Sequence, residues 1–134
     1  MATAPAYAAT PLHGVGIPTA LETDLQVPTQ AVLVVSAGAN GSKIEEIVVE
    51  AIATTLVATT VAGLIYIFTY NGVLYSLYDV IPVTAITASA TAAGFRLSKS
   101  YNNLILESTE SLYAGNSVAG NDSKLVVHAF GGAY

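Results

Sequence analysis

The alternation of apolar and polar positions is clearest between Val61 and Pro82, where VAGLIYIFTY and VLYSLYDVIP flank the dipeptide Asn71-Gly72. Asn-Gly accepts positive φ at both central positions of a tight turn, so the stretch predicts a β-hairpin closed by a two-residue loop. Such a loop sets Tyr70 opposite Val73, Phe68 opposite Tyr75 and Tyr66 opposite Leu77. Thr69 opposite Leu74, Ile67 opposite Ser76 and Ile65 opposite Tyr78 then line the other face. Both faces are largely apolar. A hairpin with its back in water alternates more cleanly, so a second layer or a partner molecule is expected over the back.

Shorter patterns predict the remaining elements. Gln30–Ala37 (QAVLVVSA) is β-branched and reads as a strand, followed by a turn at Gly38-Ala39-Asn40-Gly41-Ser42. That turn is not a phosphate loop, because its order is Gly-Ser-Lys and the spacing from Gly38 is wrong. Lys43–Thr55 carries two periods at once. Apolar residues at 44, 47, 48, 51 and 52 fit a helical stripe with Ser42 and Glu45 as a capping box, while Ile47-Val48-Val49 favours strand. Val83–Gly94 reads as a crossover holding a short strand at Val83–Ile86. Phe95–Ser98 and Leu104–Glu107 are predicted as separate strands joined through Tyr101-Asn102-Asn103. Ser111–Asn116 and Lys124–Phe130 follow, separated by a polar turn and closed by Gly131-Gly132. Seven or eight short strands at this spacing predict an all-β, antiparallel sandwich or barrel.

Residues 1–29 differ from the rest. Four of the five prolines, Pro5, Pro11, Pro18 and Pro28, fall here among Ala, Thr and Gly, together with Tyr7, and no period is sustained. Proline removes backbone donors and favours extended chain, so the segment is expected to be an arm attached to a sandwich domain at 30–134. Its opening, MATAPAYAATP, lacks a basic region and an apolar core, so no secretory signal is expected.

Composition sharpens this picture. The 134 residues suit one domain, yet 53% are hydrophobic, only 10% are charged, and mean hydropathy is +0.60. The apolar runs at Val61–Phe68 and Ile47–Ala53 fall short of the roughly 20 residues of a membrane-spanning helix. A protein–protein interface accounts better for the surplus. Net charge is −5, and the four cations, Lys43, Arg96, Lys99 and Lys124, are scattered, which argues against nucleic-acid binding. Without cysteine, disulfide scaffolds and thiolate metal sites are excluded. The sequons at Asn40 and Asn121 read as turns.

Candidate chemistry is sparse. His128 lies in an apolar strand with no acid in its own segment, so it reads as a packed histidine, and His13 reads as a solvated or interface residue of the arm. Glu45 and Glu46 point to opposite faces of any strand, Glu46 and Glu50 suit a solvated edge, and Glu107 and Glu110 straddle a turn. No nucleophile elbow or metal-ligand spacing is found, so no catalytic residue, cofactor or metal is expected. The tyrosines offer the alternative. Tyr66, Tyr70, Tyr75 and Tyr78 lie in the hairpin, where they suit a subunit interface or a sugar-binding surface.

The order of the pieces carries a resemblance. GANGSKIEEI (38–47), GLIYIFTYNG (63–72), YSLYDVIPVTAITASAT (75–91) and the ending VVHAFGGAY (126–134) are similar to small head decoration or cement proteins of tailed bacteriophages. The similarity covers about residues 30–134, and its motifs are structural. It implies a jelly-roll-like sandwich that self-associates, commonly as a trimer, on the outer surface of the virion head. There it spans junctions of the major capsid protein. It also favours strand over helix for residues 43–55. An arm of this kind lies along a neighbour, which makes Pro5, Tyr7, Pro11, Pro18 and Pro28 interface candidates beside the four hairpin tyrosines. A receptor- or glycan-binding module of a phage fibre is the alternative.

Overall fold

A computed structural model describes residues 10–52 and 59–134. The described chain is all-β and forms two antiparallel four-stranded sheets packed face to face. The strands are β1 (Thr10–Gly16), β2 (Val32–Ser36), β3 (Ser42–Ala51), β4 (Gly63–Tyr70), β5 (Tyr75–Val83), β6 (Arg96–Leu106), β7 (Ser111–Asn116) and β8 (Leu125–Ala133). One sheet has the order β1-β8-β3-β6 and the other β2-β7-β4-β5. Ile44, Ile47 and Val49 of β3, Val127 and Ala129 of β8, and Leu104 and Leu106 of β6 meet Ile65 and Ile67 of β4, Leu112 and Ala114 of β7, and Ile81 and Val83 of β5 in one core. These residues are chiefly β-branched or leucine, and they suit a pleated layer closed on one side.

The ambiguous segment is a strand through Ala51. Its misleading period has a physical cause, a register shift between Ile44 and Glu46 against both β6 and β8. A bulge adds a residue and reverses which side chains point inward. Glu45 is that residue, so Ile44 and Ile47 both reach the core at a spacing that imitates a helix.

Three sequence-based expectations need correction. The hairpin pairs Tyr70 with Tyr75, Thr69 with Ser76 and Phe68 with Leu77, so its loop spans Asn71 to Leu74 and not two residues. The Asn71 side chain causes this, because its Oδ1 accepts the N–H groups of Val73 at 2.9 Å and Leu74 at 2.8 Å. Those donors are thereby withdrawn from the ladder. A further bulge at Tyr78 pairs Ile67 with Asp79 and turns Asp79, Ile81 and Val83 inward.

Second, Tyr101-Asn102-Asn103 does not divide two strands. β6 runs through it, pairing Ser100 with Glu46 and Leu104 with Ile44, so the polar triplet is an irregularity opposite Glu45.

Third, the proposed arm is not separate from the domain over residues 10–16. β1 pairs along its whole length with β8, from Thr10↔Ala133 to Gly16↔Val127. It is an edge strand, where proline at position 11 is tolerated. Its position also depends on Gly14, where a Cβ would collide with the Val34 carbonyl oxygen of β2. Pro18 and Pro28 are buried within the chain itself and so are not interface positions, whereas Pro11 is exposed. Pro18 is held where its carbonyl accepts the Ser123 N–H at 2.9 Å. Pro5 and Tyr7 lie outside the described residues.

On the opposite side of the sandwich, β5 and β6 are tied by one polar clamp. The Asp79 carboxylate meets Lys99 Nζ at 2.6 Å and accepts the Tyr101 hydroxyl at 2.6 Å. Burial alone would raise the Asp79 pKa, but the Lys99 ammonium, the Tyr101 hydroxyl and the Val80 N–H hold it below the usual carboxylate range. Burial, and then the hydrogen bond to Asp79 and its charge, push the Tyr101 phenol far above its usual range. The sign of the linkage follows from these directions. Asp79 stabilises the fold above its ordinary value of 3.8 and loses that contribution as pH falls through its lower folded value. Tyr101 stabilises the fold below 10.0 and loses that contribution as pH rises beyond it. Tyr101→Phe is expected to cost about 1.5–3 kcal/mol in urea unfolding at neutral pH, as for a hydrogen bond to a charged group. It should also flatten the alkaline fall in stability.

Candidate functional site

The sheet β2-β7-β4-β5 turns one side to the core and presents an aromatic surface on the other. Residues alternate along each strand, so Ile65 and Ile67 point inward while Tyr66, Phe68 and Tyr70 of β4 point outward. Register places Tyr113 and Leu77 on either side of Phe68, and Ser111 and Tyr75 on either side of Tyr70. Leu33 extends the first of these rows from β2. The rings of Tyr70 and Tyr75 stack at 4.2 Å, and Tyr113 meets them edge-on at 5.7 Å and 5.3 Å. Phe68 lies beneath, tilted against Tyr66 and edge-on to Tyr75, and is fully buried although it faces away from the core. Partial burial, and then Tyr113 and Tyr70, push the Tyr75 phenol above its usual range.

The charge distribution separates this face from the other one. Strands β2, β4 and β7 contain no charged residue, and the one in β5, Asp79, is turned inward to its clamp. At the hairpin tip Val73 and Leu74 are 80% and 68% exposed. Leu33, Leu64 and Leu77 are also exposed on this side of the molecule. Three of the four hairpin tyrosines, Tyr66, Tyr70 and Tyr75, thus meet on one face. Tyr78 does not join them, because the bulge carries it toward Tyr101, 5.9 Å away, where it is 44% exposed. Tyr113 belongs to the cluster and was not anticipated, since only the pairing of β4 with β7 brings it there.

One segment partly roofs the face. Between β1 and β2 the chain crosses from one sheet to the other and closes on β7, where the Glu22 N–H donates to the Asn116 carbonyl at 2.6 Å. Glu22 is 4% exposed. One of its oxygens accepts the N–H groups of Gln30 at 2.7 Å and Ala31 at 3.1 Å, and the other accepts those of Thr23 and Asp24. Its side chain lies close to Gly115, beside Phe68.

The outer face of the β1-β8-β3-β6 sheet mixes exposed apolar residues, Val15, Ile105 and Phe130, with a row of polar contacts. His13 Nε2 and His128 Nδ1 are 3.0 Å apart, His128 Nε2 is 3.4 Å from a Glu50 oxygen, and Arg96 lies 3.7 Å from the other oxygen. The chain of contacts crosses all four strands. One hydrogen bond joins the two imidazoles, and the Glu50 carboxylate lies between His128 and Arg96. Neither histidine signalled this from sequence, because 115 positions separate them and their acid sits on a third strand. Asn121 is buried, its amide hydrogen-bonded to the Val61 backbone, so its sequon is closed to modification in the folded chain.

No family profile, curated protein or solved structure matches the chain.

Proposed function

We propose that the chain is a structural virion protein that decorates the outside of a tailed-phage head and cements contacts between major capsid subunits. One observation carries the reading: in an acidic chain of net charge −5, the strands of one sheet present no charged side chain on their outer face and cover it with tyrosine and leucine, the one carboxylate packed over it, Glu22, being buried. An uncharged face can meet its own copy without the repulsion that like charges impose elsewhere on the surface. A second copy of this chain is therefore the occupant we assign to it, in a homo-oligomer that the resemblance implies to be a trimer. The strand order β1-β8-β3-β6 facing β2-β7-β4-β5 supports a jelly roll of two interleaved Greek keys.

Co-sedimentation with shells assembled from the major capsid protein tests the reading. The protein is expected to pellet with shells up to a saturating occupancy. Removal of residues 1–9, which carry Pro5 and Tyr7, should lower that occupancy and leave the domain folded. The cut belongs before Thr10, because β1 is part of the sheet. A chain that never pellets with shells overturns the cement role.

The stacked Tyr70–Tyr75 pair beside an exposed hairpin tip favours one second reading, a glycan-binding module of a phage fibre. Tyr75→Ala separates the two. Loss of glycan binding with assembly intact supports the module, and altered assembly supports the interface.

A further inference from the structure

The hairpin tip holds a chemistry that its role as a turn does not use. Asn71 and Gly72 are both exposed. Asn71 Oδ1 accepts the N–H groups of Val73 and Leu74, the two residues after Gly72, so the carboxamide is turned back along the chain past Gly72. Gly72 sits at φ +96° with open space where a Cβ would stand. Among the described residues its own N–H has no backbone acceptor. An unhindered, uncommitted nitrogen thus follows an amide carbon whose oxygen is held by two donors.

We propose that Asn71-Gly72 is a self-modification site. The Gly72 nitrogen gives its proton to solvent base and bonds to the Asn71 side-chain carbon, and the carbon–nitrogen bond of the carboxamide breaks. Ammonia leaves with a proton from water, and a succinimide remains. Water then opens either carbonyl, giving an aspartyl or an isoaspartyl residue at position 71, with no oxidant or cofactor consumed. The Val73 and Leu74 N–H groups face the oxygen on which negative charge develops in the tetrahedral adduct, so they stabilise it where it forms.

The chain contains its own control. Asn40-Gly41 is the same dipeptide, with Asn40 exposed and Gly41 at φ +88°. The Gly41 N–H, however, donates to the Gly38 carbonyl at 3.0 Å. A Cβ at Gly41 would also stand only 2.9 Å from the Leu106 carbonyl oxygen. Its nitrogen is committed and its surroundings are packed, so this site is protected.

Conversion at position 71 places a new negative charge among Val73, Leu74, Tyr70 and Tyr75, beside strands whose exposed residues on this face are uncharged. Its effect on association rests on the docking role proposed above, whereas the chemistry does not.

The test is to age the purified full chain at mildly alkaline pH and follow both dipeptides by peptide mapping that distinguishes aspartyl from isoaspartyl products. Conversion at Asn71 is expected to outpace that at Asn40 by at least about tenfold, the change that 1.4 kcal/mol makes in a barrier. An unconverted Asn71, or equal rates at the two sites, overturns the proposal. Asn71→Asp keeps the capping oxygen and adds the charge directly, and its self-association is read by light scattering. Weakened association of Asn71→Asp supports the docking role, and conversion at Asn71 supports the modification site. Conversion at Asn71 combined with unaltered association of Asn71→Asp upholds the modification site and overturns the docking role.

Discussion

Glu22→Ala is expected to destabilise the fold by about 3 kcal/mol and to open the segment between β1 and β2 to proteases. The magnitude follows from what the carboxylate satisfies, because a buried donor left without an acceptor costs about 1–3 kcal/mol and partial rehydration recovers some of that. Four backbone N–H groups depend on Glu22, two at each end of the turn from Thr23 to Ala31. Glu22→Gln is the sharper variant. It keeps one oxygen but aims an amide NH₂ at two N–H donors, so most of the loss should persist with the volume unchanged. Urea unfolding and limited proteolysis within residues 23–30 read the effect. A variant as stable and as resistant as the unaltered chain would contradict the role of the carboxylate as the staple of this segment.

The second large effect concerns association. Leu74→Asp combined with Leu77→Asp is expected to leave the fold intact and abolish self-association. Both side chains are exposed, and surface substitutions of this kind usually change stability by no more than about 0.5 kcal/mol. Within an interface the same change sets two carboxylates per protomer against an apolar face and, in a symmetric contact, against each other. Light scattering and circular dichroism should report a folded protein at protomer mass. A double variant that stays oligomeric would place the contact elsewhere on the molecule.

The parts of the fold legible from sequence are those fixed by local pattern. The hairpin, its aromatic content, β2 and the bounds of β7 follow from alternation and turn residues that sit side by side in the chain. What was not legible depends on partners remote in sequence. β1 looks like an arm because its proline and two glycines suit no isolated strand, and it becomes a strand through pairing with β8 at the other end of the chain. The bulge at Glu45 shifts the apolar period within β3 and makes it an apparent helix, while the hairpin pairs are displaced by the Asn71 loop and, beyond Phe68, by the bulge at Tyr78. The candidate site divides in the same way. Tyr66, Tyr70 and Tyr75 were visible as a group, whereas Tyr113 and the His13–His128–Glu50 contacts required the sheet order. Pro18 and Pro28 failed as surface candidates because extended, proline-rich chain can also pack onto its own domain.

That the uncharged face of the β2-β7-β4-β5 sheet binds a second copy of this chain is tested most directly by the light-scattering mass of the full protein, measured at micromolar concentration in low and high salt. The predicted result is a whole multiple of the 13.7 kDa protomer that does not fall as salt is raised, since no ion pair at this face is there to be screened. A mass of 13.7 kDa at every concentration and salt would contradict it.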